Sequence, residues 1–149
     1  MLNETLKLKG RVNLVLKDKD GNVKETRDID NLVVTTGLGY IASRMKDATA
    51  TAMSHMALGS GTTSAAAGDT DVESILGSRE ALDSTTVSGN AVTYIASFEA
   101  GDGTGAVTEA GLFNAASSGT MLCRTVFGVV TKSADDTMTV TWTITISAS

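Results

Sequence analysis

The sequence predicts a mainly β protein: an antiparallel β-sandwich or jelly-roll-like domain with one or two short helices and an N-terminal β-hairpin arm. Three observations carry that expectation. In Thr137–Ser147, Met138, Val140, Trp142, Ile144 and Ile146 alternate with Thr or Ser, the period of a strand with one buried and one wetted face. From residue 79 onward, turn signals recur roughly every 8–14 residues, the rhythm of a sandwich or barrel. Composition agrees, because aromatics are scarce at 4% and charged residues modest at 19%. The 42% hydrophobic content is therefore mostly aliphatic, interleaved with Thr, Ser and Gly, and Thr and the β-branched aliphatics favour strands. At ~3.3 Å per residue the last stretch spans roughly 35 Å, too long and too apolar for an open edge. It belongs inside a sheet, with a second layer over Trp142.

Taken in order, Leu6, Leu8, Val12, Leu14 and Leu16 alternate in a first strand that Gly10 interrupts, marking a bulge or a close backbone approach. Asp18–Asn22 reads as a hairpin turn, with Gly21 or Asn22 supplying a positive φ. The charged return strand Val23–Ile29 makes residues 1–30 the least core-like part, an arm on a body at 31–149 within one domain. In Gly37–Lys46, Leu38, Ile41, Ala42 and Met45 recur at helical spacing behind a cap at Thr35 or Thr36. A loop at 47–51 follows, then a short strand Met53–Leu58 and a small-residue loop Gly59–Gly68, mobile or packed on a neighbour. Thr70-Asp-Val-Glu73 has capping-box spacing and starts a second short helix through Leu76. Beyond it come a strand Arg79–Val87, a strand Ala91–Ala100, and a pair, Val107–Asn114 with Thr120–Phe127.

With 149 residues the chain can bury about 70% of its unfolded surface in one core. The net charge of −5 argues against general nucleic-acid binding. It is unevenly shared: residues 1–46 hold nine basic and six acidic residues, and residues 47–149 three basic and eleven acidic. A basic front and an acidic body can attract within one chain or between copies. Cys123 stands alone, so no intrachain disulfide forms. The first residues have no signal-peptide core and no apolar run approaches ~18 residues, so a cytoplasmic, non-membrane protein is expected.

Candidate chemistry is sparse. Asp18–Asn22 faintly echoes a calcium loop, yet Gly21 is fourth and Ile29 twelfth where Gly at six and Glu at twelve are needed. Gly59–Thr63 and Gly101–Gly105 lack the Lys of a phosphate loop. His55, the one histidine, lies in an apolar alternation with no nucleophile elbow nearby, and one His with one distant Cys falls short of a zinc set. Glu99, Asp102 and Glu109 flank one turn and would form a carboxylate pair if they met. Tyr94 and Trp142 read as core aromatics, because no basic residues sit beside them. No catalytic, cofactor-binding or metal site is therefore expected.

Two groups of segments carry a resemblance. Asn31–Met45 with Met53–Thr63, and Glu109–Phe127 with the Thr-alternating last strand, are similar to the front and back halves of small structural proteins of tailed bacteriophages. The resemblance implies a non-enzymatic virion protein, assembled in the host bacterial cytoplasm: a capsid cement or decoration protein that bridges major capsid protein subunits, or alternatively a tail-fibre attachment or tail-tip module. A rigid, Thr-covered β body suits that use, since many weak identical contacts add to a strong grip. A closed homo-oligomer, a trimer by preference, is expected. The 1–30 hairpin and the 59–68 loop are the expected contact surfaces.

Overall fold

The computed structural model describes residues 5–46 and 50–148. Residues 47–49 of the expected 47–51 loop lie outside the described residues, as do residues 1–4 and 149. The elements are β1 (Leu6–Lys17), β2 (Val23–Asp30), β3 (Leu32–Val33), α1 (Thr35–Lys46), β4 (His55–Gly59), β5 (Glu80–Ala81), β6 (Ser84–Ser88), β7 (Ala91–Phe98), β8 (Gly105–Phe113), β9 (Met121–Lys132) and β10 (Thr137–Ala148). They form two five-stranded sheets, β2-β1-β10-β7-β6 and β3-β9-β8-β4-β5. Every pairing of named strands is antiparallel, and the two sheets share one core. The protein is a β-sandwich.

β10 lies in the middle of the first sheet, paired along its whole length with β1 and on its other side with β7. Met138, Val140, Trp142 and Ile144 are buried, and the core they join includes Met56, Leu58, Ala110, Leu112 and Cys123 of the second sheet. The intervening threonines of β10 stay partly exposed, as the alternation requires. Val92, Tyr94, Ala96 and Phe98 of β7 likewise turn inward.

The N-terminal hairpin is no detachable arm. β1 sits between β2 and β10, and its Val12, Leu14 and Leu16 are 0%, 1% and 2% exposed. Charge on β2 obscures this: beside the paired half of β1, Arg11–Lys17, the return strand is the edge, and it alternates in exposure as a solvated strand should. Removing residues 1–30 would strip a central strand from the sheet rather than free a folded body. The turn between β1 and β2 has Gly21 at φ 85°, with Asp18 accepting the Asp20 and Asn22 backbone N–H groups.

Gly10 marks a close approach. A Cβ there would collide with the Asn31 side chain, whose Oδ1 accepts the Trp142 indole N–H at 3.1 Å. Asn31 is also where the chain leaves the first sheet, so the bare backbone at Gly10 lets the crossing residue reach the deepest aromatic.

Four further expectations are corrected. Thr70–Leu76 is not helical: the Glu73 and Ser74 N–H groups, which a first helical turn leaves free, donate instead to the Glu109 carboxylate. Leu76 N–H then bonds the Leu58 carbonyl and Ser60 N–H that of Ser74, so the segment runs as a bent chain beside β4, joined to it by a single bridge between Ile75 and Gly59. The single strand expected at Arg79–Val87 is two, because consecutive residues are claimed by different sheets: Leu82 N–H bonds Ser54 and Asp83 N–H bonds Ile95. The helix packs through Gly37, with Tyr40 and Ile41 partly buried against the core, whereas Leu38 and Met45 are 48% and 83% exposed. A Cβ at 37 would strike the Leu122 carbonyl, so the glycine face, not the apolar stripe, sets the contact. Finally, the start of the 59–68 loop is held by its own sheet, since Gly61 bonds Glu109 and Thr108 through its N–H and carbonyl.

Candidate functional site

The second sheet is covered on both sides. Inward, Met56, Leu58, Ala110, Leu112 and Cys123 meet the first sheet. Outward, Val34, Ala57, Val72, Phe113 and Met121 form a smaller core beneath α1 and the 70–76 segment. The outward row Gly59–Glu109 on β4 and β8 places a carboxylate, 0% exposed, inside this second layer.

Glu109 is satisfied by convergence. Its oxygens accept the backbone N–H groups of Gly61, Glu73 and Ser74 at 2.6, 2.7 and 2.8 Å. Arg124 Nε donates at 3.1 Å and Nη2 stands 3.0 Å away. Side chains at 59 or 61 would run into this carboxylate, which is why glycine occupies both. Arg124 also donates to Asp69 at 2.9 Å. The backbone N–H of Ala66, and after it Arg124, hold the Asp69 carboxyl below its ordinary 3.8. Charge-assisted bonds to backbone donors of this kind fix loop geometry, so the network tethers the 59–76 segment to the sheet.

A second buried charge closes one end of the sandwich. Lys132, 1% exposed, donates to the Glu99 and Asp136 carbonyls at 2.9 and 2.7 Å. Burial pulls its ammonium below the usual lysine value, against the pull of Asp102, Asp136 and Glu99. Asp136 accepts Lys24 at 2.8 Å and the Ser133 N–H, and these bonds, the Lys24 one first, lower its pKa. Glu109 does not join Glu99 and Asp102: it is held by Arg124 and the 61–74 backbone, while Glu99 and Asp102 both lie near Lys132.

His55 lies at the start of β4 opposite Phe113 and Ala81, half-buried, its Nδ1 2.8 Å from the Ser54 hydroxyl. Cys123 is fully buried and burial pushes its thiol pKa well up, which leaves it unreactive. Tyr94 is nearly as deep, its hydroxyl pushed up to about 12 by burial. Among the described residues no three His, Cys, Asp or Glu side chains gather as a metal site, and no helix is long and apolar enough to cross a membrane.

A shallow cleft of about 280 Å³ is lined by Asp30, the last residue of the hairpin, by Asn31 and Leu32 that follow it, by Ser64 and Ala65 of the 59–68 loop, and by Arg124–Val126 of β9, so the two expected contact surfaces approach each other only at Asp30. Beside it, Thr62–Ser64 and Ala66–Gly68 are exposed. Arg124, Asp69 and Lys132 stand in no motif of the sequence. The available signal was a lone charge within an apolar run, Met121-Leu-Cys-Arg-Thr-Val-Phe127 for Arg124.

No family model, no curated protein and no solved structure matches the chain. Of the buried charges, Glu109 and Lys132 hold backbone N–H and C=O groups, and Arg124 joins the Glu109 and Asp69 carboxylates.

Proposed function

We propose that this chain is a non-enzymatic structural protein of a tailed-bacteriophage particle, a cement or decoration protein that oligomerises on the capsid and bridges major capsid subunits. One observation supports the reading above the others. The segments that resemble phage structural proteins, 31–45, 53–63, 109–127 and the last strand β10, are dispersed in sequence, and the first three are adjacent in space. Those three build most of the second sheet. They make up β3, α1, β4, most of β8 and the first half of β9, with Leu32 paired to Arg124 and Gly59 to Glu109. The likeness therefore spans the core of the sandwich, the doubly covered sheet with its ionic tether and the middle strand β10 that packs on it. Such a unit holds exposed loop 62–68 rigidly, and rigidity lowers the entropic cost of each contact in a repeated lattice.

The test is to add purified, labelled protein to particles lacking it and image the result. Many evenly spaced copies on the head is the expected outcome. Label confined to a few positions on the tail moves the assignment to a tail module, and no particle binding at all removes the reading.

A further inference from the structure

The first five residues of β1 form an open sheet edge of defined chemistry. β1 pairs with β10 from Leu6 onward, but β2 covers it only from Arg11 to Lys17, because the chain departs at Asn31. Asn31 N–H reaches the Gly10 carbonyl at 3.4 Å, so Gly10 directs its backbone groups toward the β2 side. In an antiparallel strand that orientation recurs at every second residue. Leu6 and Leu8 thus present N–H and C=O groups outward, and among the described residues none of these has a partner there. Leu8 packs partly on the core, while Leu6 is 70% exposed. On the opposite face Lys7 and Lys9 are exposed, and neither has an ion pair or hydrogen bond among the described residues.

β2 displays what fits beside such a strand. Its Asp28-Ile29-Asp30 lies opposite Asn13, Val12 and Arg11, acids on the basic face and the apolar residue on the core face. We infer that the Leu6–Gly10 edge accepts an extended segment of a partner protein, added as a strand, with acidic residues facing Lys7 and Lys9 and an apolar residue between them beside Leu8. A second copy of the same edge does not fit: antiparallel pairing about Leu8 sets Lys7 against Lys9, and like charges directly opposite repel. The lysines thereby block self-pairing while selecting an acidic strand. Main-chain bonds supply the affinity and alternate side chains the choice of partner. The inference is independent of where the protein works.

A fluorescent peptide with Asp-Val-Asp-Val-Asp at its centre, titrated against the whole protein, tests it by anisotropy and amide hydrogen exchange. Binding should slow exchange at Leu6 and Leu8, weaken roughly tenfold or more in the double variant K7E/K9E, and move to a Lys-substituted peptide in that variant. L8P removes one outward N–H without touching a β10 bond and should also abolish binding. If L8P fails to fold, the charge reversal alone decides. Absence of binding at millimolar peptide, unchanged affinity in K7E/K9E, or protection at another edge would each overturn the inference.

Discussion

The two sheets of this sandwich solve different problems. In the first, β10 alternates half-exposed and buried from Thr137 to Ile144, and its threonines all keep access to water. In the second, Val107–Phe113 of β8 is buried without interruption, with Thr108 and Glu109 inside it. A sheet with one covered face is stabilised by area alone, at ~25 cal/mol per Å² of apolar surface. A sheet covered on both faces must also satisfy every polar group it encloses. Here that duty falls on Glu109 and Arg124, so the stability of one sheet rests on apolar burial and that of the other partly on a charge network.

The sharpest break is expected in the first sheet. Ile144, 4% exposed, faces Gly10 on β1 and Val92 on β7. Ile144→Asp places an unpaired carboxylate in the shared core, at a cost of about 4–5 kcal/mol or more. That is a large part of the roughly 5–15 kcal/mol that holds a domain folded. Chemical denaturation should show the variant unfolded or barely folded. A midpoint close to that of the parent would mean the inward face is misassigned.

Glu109→Gln probes the second sheet. The amide replaces one acceptor oxygen by a donor that confronts backbone N–H groups, and leaves Arg124 with only Asp69, itself partly exposed. Breaking a buried pair at one partner costs roughly 3–5 kcal/mol, somewhat less where an amide keeps one acceptor. Exchange of the Gly61, Glu73 and Ser74 amides should rise more than that of β10 amides. Uniform acceleration across both sheets would show that the network is not local to the 59–76 segment.

This contrast also explains what the letters disclosed. β10, β7 and the β8–β9 pairing were legible because alternation and turn chemistry are local. The buried half of β1 was partly legible, yet the charges of its neighbour β2 disguised it as an arm. Thr70–Glu73 misled because a capping box and a carboxylate-bound loop both need free N–H groups; what differs is the acceptor, and Glu109 lies 36 residues away from Glu73. The split between β5 and β6 had no local signal, since the Leu82–Asp83 crossing is set by Ser54 and Ile95. For the candidate site, Glu109 was noticed for its sequence neighbours Glu99 and Asp102, whereas its true partner Arg124 sits across a hairpin. Gly59 and Gly61 look like members of a small-residue loop in the sequence, although they are the space a carboxylate occupies.

The smallest effect belongs to the wetted face. Thr143 lies beside Ile144 but points the other way, half-buried, opposite Arg11 on β1 and with its hydroxyl 3.3 Å from that of Thr93. Thr143→Asp gives up one weak hydroxyl contact and sets a carboxylate across from an arginine already paired with Asp30 at 3.2 Å. A cross-strand opposite-charge pair contributes about 0.2–1 kcal/mol, which offsets the lost β propensity, so the melting temperature of the isolated protein should hardly move. The adjacent substitutions at 143 and 144 thus form a test of the sheet's two faces within one strand. Equal damage from both would require the threonine face to be covered by another layer, and in an oligomer that layer would be a neighbouring subunit; repeating the melt across a hundredfold range of protein concentration separates that case from a misread strand, because only the former depends on concentration.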